Sequence, residues 1–283
     1  MTDATPATST APSETHDAQQ LARWHRFRDN RNNALAEEHG WLTLTSFQWL
    51  EPTPSPVELV PGLWSTSESV GLETAVLTAR ADEGLVFDEE GDPVDGTFSA
   101  HLTEDESLNW VRYGSIVVEL AMRGGRYAIR TRDSQSPTRT EFRGVPVFDY
   151  APEWVIEAQW EPYPAPHKVP ISTANPLVEG THLSAGEVVF HRHGHEYRLQ
   201  AEQGKLGDLT ITFHDETNGS TTDDWRKVTT ARPRPDGTVT LDFNRAINYP
   251  SAFTPYGTCP MPVRDNSLDL AIEAGEKMPD AGE

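Results

Sequence analysis

The run from Asp242 to Glu276, DFNRAINYPSAFTPYGTCPMPVRDNSLDLAIEAGE, gathers side chains that could do chemistry. Asp242, Asn244, Arg245, Asn248, Asn266 and Glu276 stand there among prolines and aromatics. Carboxylates and amides that leave water must find hydrogen-bond partners, so hydrophobic burial alone does not account for such a segment. Pro250, Pro255, Pro260 and Pro262 fix φ along it. A stiff polar loop is expected. Either its groups satisfy one another, or they form a preorganised pocket in which Asp242, Asn244 and Arg132 present a carboxylate, an amide and a guanidinium to a ligand.

Three other constellations carry chemistry. Arg132-Asp133 ends an alternating segment; Arg132 can clamp an anion bidentately, or the pair can hold a strand end. His214-Asp215 closes the apolar run LTITF before Glu216-Thr-Asn-Gly, where imidazole and carboxylate suit general-base work, and where an Asp equally suits a turn. His191, His193 and His195 alternate, as zinc ligands on one strand face would, but Gly194 between apolar strands reads better as a hairpin tip, so no metal site is expected. The single cysteine, Cys259, excludes an internal disulfide and a multi-cysteine zinc site, and it reads as a small buried apolar residue.

The elements that must position these groups follow from hydrophobic period. Residues 1–16 are Ala, Thr, Ser and Pro and are expected to be a disordered arm. Asp17–Glu38 places Leu21, Trp24, Phe27 and Leu35 near helical spacing, with Arg23, Arg26, Arg28 and Arg31 as the polar face. After Gly40 the pattern turns to short strands, with no further helix: Thr74–Ala79, Gly96–Leu102, Ser115–Met122, Arg126–Arg132, Trp154–Trp160, Glu187–His191, Glu196–Ala201, Leu209–His214, Thr238–Phe243 and Leu268–Glu273. The proline-rich stretch at 161–176 reads as a linker or a long crossover. The expected fold is mainly β, an antiparallel sandwich or barrel of many short strands with one N-terminal amphipathic helix. One domain over 17–277 and a flexible tail at 278–283 complete it.

Composition narrows the functional classes. With 23 Lys and Arg against 44 Asp and Glu, the net charge of −21 argues against nucleic acid and anionic membrane surfaces as partners. No apolar run approaches the roughly 18 residues of a membrane span, and the N-terminus has neither a basic nor an apolar signal region, so a cytoplasmic location is expected. No dinucleotide fingerprint, phosphate loop, nucleophile elbow or HExxH motif occurs, and no cofactor is expected.

Several motifs in order resemble one uncharacterised prokaryotic family, domain of unknown function 1684. They are HGWLTL at His39–Leu44, Trp49-Leu50, Arg132-Asp133, FHDETNG at Phe213–Gly219, DFNRA at Asp242–Ala246, Asn248, Ala252-Phe253, Cys259-Pro260, Asn266 and AGE at Ala274–Glu276. The likeness runs from about Gln20 to Lys277, and it implies a small β-rich prokaryotic protein without assigning an activity. Where the family reads N-P-P-C-A-F this chain reads NYPSAF, so Ser251 leaves Cys259 without a cysteine partner. The family's Thr-Tyr pair is replaced by Thr221-Thr222-Asp223-Asp224.

These readings converge on a small-molecule-binding β protein. Its pocket for an anionic or polar ligand would be lined by Trp41, Arg132, Asp133, Asp242, Asn244 and Asn248. An alternative is a cofactor-independent hydrolase with Asp215 or Asp242 as general base, His214 as proton shuttle and Arg132 stabilising developing charge. A structural or partner-binding protein is the third class.

Overall fold

Helix α1 (Ala11–Leu35) opens the described chain, starting before Asp17 and stopping short of Glu38. The computed structural model describes residues 11–69 and 71–279. Of the expected arm, 11–16 are helical and 1–10 lie outside the described residues; of the expected tail, 280–283 lie outside them and the Met278 N–H bonds to the Thr221 carbonyl. Trp24, Arg28 and Leu35 form the buried stripe of α1. Arg28 therefore leaves the polar face on which its charge placed it, because a buried carboxylate meets it.

The first half of the chain supplies β1 (Leu44–Trp49), β2 (Ser55–Val57), β3 (Val60–Ser69), β4 (Leu72–Ala79), β5 (Val86–Phe87), β6 (Gly96–Ala100), β7 (Ser107–Tyr113), β8 (Ile116–Arg123) and β9 (Arg126–Asp133). A single turn, α2 (Pro137–Thr140), follows where no further helix was expected; Pro137 at its start fixes the first φ. The second half supplies β10 (Val155–Ile171), β11 (Gly180–Arg192), β12 (His195–Gln203), β13 (Leu209–Phe213), β14 (Arg226–Thr230), β15 (Thr238–Asp242) and β16 (Ile247–Asn248). They form antiparallel sheets in the orders β1-β9-β8-β7-β5, β2-β3-β4-β6 and β15-β10-β11-β12-β13-β14-β16. The architecture is mainly β and sandwich-like, with no closed barrel. No helix among the described residues is long and apolar enough to cross a membrane.

Two large apolar cores and two small clusters result among the described residues. One large core is built on Trp64, Leu77, Val118, Leu120, Tyr127 and Ile129, the other on Val188, Phe190, Leu199, Ile211, Phe213 and Phe243. The central strands β8 and β9 are buried on both faces. Leu120 opposite Ile129 faces the first core, and Glu119 opposite Arg130 faces away from it. That second face is laddered by cations on rings: Arg126 over Trp49 at 4.6 Å, Arg130 over Phe47 at 5.3 Å and Arg132 over Trp41 at 4.8 Å.

Two expectations need correction, and a third is met. Leu268–Glu273 is not a strand but an extended segment tied by single contacts, such as the Leu268 N–H to the His214 carbonyl at 2.9 Å. The hairpin tip expected at Gly194 is met: the histidine triplet straddles the β11–β12 turn, where His193 (φ 51°) and Gly194 (φ 82°) are both left-handed, so the three imidazoles do not share a strand face. The 161–176 stretch is neither linker nor crossover, because most of it continues β10 alongside β11. Gly186 permits that close crossing: a Cβ there would stand 2.4 Å from the Glu161 carbonyl oxygen.

The prolines of β10 have an edge-strand role. β15 pairs with β10 only as far as Gln159, so the rest of that edge has no strand partner among the described residues. The Trp160 N–H points outward, to the Gly237 carbonyl at 2.8 Å. Pro162 lies two residues on, on the same side, and has no N–H; Pro164 and Pro166 sit in the register shift that follows. Missing donors and a bulge blunt an edge that another strand would otherwise extend. Replacing Pro162, Pro164 and Pro166 together by Thr is expected to raise the mass measured by light scattering as concentration rises, relative to the parent; an unchanged mass would refute this role.

Candidate functional site

The polar residues singled out in the sequence are distributed over three nodes. In the first, Arg132 stacks on Trp41, donates to Glu119 Oε2 at 2.7 Å and to the Gly40 carbonyl at 3.0 Å, while Arg130 donates to Glu119 Oε1 at 3.1 Å and to Thr258 Oγ1 at 3.0 Å. Burial pushes the Glu119 carboxyl up, but Arg132 and Arg130 together hold it below the ordinary carboxylate range. Trp41 and Arg132 thus meet as a stacked pair. Asp133, on the opposite face of β9, accepts from Ser115 Oγ at 2.7 Å and from the Gln135 N–H at 2.9 Å, which makes it a turn residue.

In the second node Asp242 caps the 3-10 turn Phe243–Arg245, its Oδ1 accepting from the Asn244 backbone and side-chain amides at 3.1 and 3.0 Å. Burial raises the Asp242 carboxyl, and these bonds oppose the rise. The Asn244 amide pairs with both backbone groups of Ala151 at 2.9 Å, as a neighbouring strand would.

The third node is a wholly buried knot. Asp215 and Arg226 pair at 2.7 Å with neither side chain exposed. Asp215 also accepts from the Thr217 N–H, the Thr217 hydroxyl and the Ile272 N–H, so no oxygen is left open to a water nucleophile. Arg226 donates to the carbonyls of Ile272, Ala274 and Glu276 at 3.0, 2.5 and 3.1 Å, which is what holds the C-terminal segment without a strand ladder. Gly275 (φ 80°) lets that segment pass; a Cβ there would lie 2.6 Å from the Ala246 carbonyl oxygen. Glu276, also unexposed, accepts from Arg28 at 2.8 Å, Arg31 at 3.1 Å and the Asn248 N–H at 2.7 Å. Asn248 donates to the Lys277 carbonyl at 2.8 Å. His214 turns away, its Nδ1 on the Asp224 carbonyl at 2.7 Å. Asp215 and Asn248 therefore belong to one node, Asp242 and Asn244 to another, and Arg132 to a third.

A cleft of about 680 Å³ lies against the knot, lined by none of the eight expected site residues. Leu42, Phe142, Val145, Ala252, Phe253 and Met278 give it apolar walls; Glu141, Arg143 and Asp223 add charge. The knot's own bonds set those walls. Arg28 reaches the Val145 carbonyl at 3.3 Å, Asn32 accepts from the Val145 N–H at 3.2 Å, and Asn218 holds the Asp223 carbonyl at 2.6 Å. Burial raises the Asp223 carboxyl above the ordinary range; the Asp224 N–H opposes this, and no cation pairs with it among the described residues. Sequence reading missed Asp223 because the segment Thr221-Thr222-Asp223-Asp224 departs from the family's Thr-Tyr pair and reads as a loss, and missed Phe142 and Arg143 because they lie in an unpatterned loop.

The nodes predict unequal mutational costs. Breaking a buried ion pair leaves an uncompensated charge, so Glu276→Gln is expected to lose about 3–5 kcal/mol in urea unfolding. Asp242→Asn keeps an acceptor for the Asn244 N–H and is expected to cost at most about 1 kcal/mol, the worth of a cap. A larger loss at Asp242 than at Glu276 would overturn the ranking.

No curated protein matches the chain. The solution NMR structure of an uncharacterized protein from Haloarcula marismortui is similar at 27% identity and a TM-score of 0.41, covering 50% of this chain and 83% of that one. The model of the family described as "Protein of unknown function (DUF1684)" matches residues 140–277, a span that holds the Phe213–Gly219, Asp242–Ala246 and Ala274–Glu276 motifs and leaves the His39–Leu44 and Arg132-Asp133 motifs before it. Residues 140–277 thus match the family that the chain's motifs resemble.

Proposed function

We propose that the protein binds a small molecule in the cleft against the knot, its apolar body between Leu42, Phe142 and Phe253 and a hydrogen-bond-donating head, such as an amine, on Asp223. The observation that carries this reading is Asp223 itself: a carboxyl with raised pKa, no cationic partner and an apolar-walled cleft in front of it. The cleft's volume is in the range of small-ligand sites, which combine apolar walls with a few convergent polar groups. Arg132 and Asp215 are engaged by protein groups, and Asp242 Oδ1 serves as a turn cap, which favours the cleft over the pocket first expected from them.

A carboxyl whose folded pKa is raised prefers the protonated form in the fold. Its destabilising effect is absent below its unfolded value, about 4, grows as pH rises past that value, and is complete above the folded value. Asp223→Asn is therefore expected to raise Tm at neutral pH, with the gain vanishing in acid. In a thermal-shift screen of arylalkyl amines, the parent is expected to be stabilised, and Asp223→Asn and Phe253→Ala each to bind at least roughly tenfold more weakly, the effect of 1.4 kcal/mol. No stabilisation of the parent by any amine, or a destabilised Asp223→Asn at neutral pH, would sink this reading.

A further inference from the structure

The opposite face of β14 presents a different group. Arg226 opposes Asn248 across β14 and β16 and points into the knot. Lys227, opposite Ile247 on β16 and Thr212 on β13, therefore projects from the other face. Its ammonium lies 4.8 Å from the centre of the Tyr249 ring. Trp225, Tyr249 and Cys259 form a small buried cluster beside it, with Ala174 and Met261 packed on. The Tyr249 hydroxyl is engaged with Thr212 Oγ1 at 2.6 Å, and burial pushes the phenol up to about 12, so no phenolate is present to hold an ammonium. None of the ion pairs among the described residues includes Lys227. The chain has only three other lysines: Lys168 and Lys205 are exposed, and Lys277 lies over Phe148.

We propose that Lys227 is a nucleophilic amine that captures a small aldehyde or ketone as an imine. Nucleophilic attack needs the neutral amine, and a lysine without a carboxylate partner in apolar surroundings supplies it more readily than one in water. Burial lowers Lys227 below the ordinary amine range and Arg31 of α1 adds to this, while Cys259, Glu202 of β12 and Glu276 act the other way. The Nζ lone pair attacks the carbonyl carbon and a C–N bond forms. The carbinolamine then loses water, whose oxygen comes from the carbonyl and whose two hydrogens come from the amine, leaving a C=N bond. No oxidant or reductant takes part.

The test treats the full-length protein with a small aromatic aldehyde at neutral pH, traps imines with cyanoborohydride, and measures the modified fraction of each of the four lysines by peptide mass spectrometry. Lys227 is expected to react roughly tenfold faster than Lys168 or Lys205, the effect of one pKa unit on the neutral fraction, and to reach its plateau rate at a lower pH. In denaturing urea this preference is expected to vanish. Equal or slower labelling of Lys227 in the folded protein, or a preference that survives denaturation, would overturn the assignment.

Discussion

Glu276 is a charge taken wholly out of water, and the fold around it is organised by the need to pair that charge. Burying an isolated carboxylate costs several kcal/mol, which only opposite charges and hydrogen bonds in good geometry offset. Arg28 and Arg31 supply them from the other end of the chain, and the Asn248 N–H completes the set. The arrangement fixes α1 against the second-half sheet, because the two arginines stand on consecutive turns of one helix. It also fixes the extended C-terminal segment, whose carbonyls Arg226 collects in place of a neighbouring strand. Asp215 keeps Arg226 in position, and turn bonds keep Asp215 in position.

The cleft and the amine face follow from this constraint. Val145 and Met278 are placed by hydrogen bonds to their backbones that originate in the knot or beside it, and they set walls around a space that the side chains do not fill. The same strand that sends Arg226 into the knot sends Lys227 to the other side, so one β-alternation separates a structural cation from an unpaired one. The polar groups of this protein thus divide by environment. Those with every partner supplied by the chain, such as Glu119, Asp215, Asn244 and Glu276, serve the architecture. Asp223 and Lys227, each desolvated without an opposite charge in an ion pair among the described residues, are the groups that our two proposals use.

Much of the fold was legible in local pattern. The alternation in Thr74–Ala79, Arg126–Arg132 and Leu209–His214 marks β4, β9 and β13 closely, since side chains on a strand alternate faces and one face must reach a core. β3, with Pro61, Gly62 and a Ser/Thr-rich end, and β14, with Arg226 buried, were hidden because their pairing comes from neighbouring strands and not from their own apolar period. The stretch after Glu161 looked like a linker because proline is read as a breaker; on an edge it removes only the donors that face outward.

The sequence by itself determined that the C-terminal run would be polar and proline-rich, that the chain would be mainly β behind one helix, and that residues such as Asp215, Asn248 and Glu276 had to be satisfied if buried, because the cost of burying polar groups is a property of residue type. Only the tertiary structure decided which partners satisfy them. Arg28 and Glu276 are separated by almost the whole chain, and no local period records such a pairing. It likewise decided where desolvated charge remains unpaired, because that depends on which opposite charges the folded backbone leaves within reach.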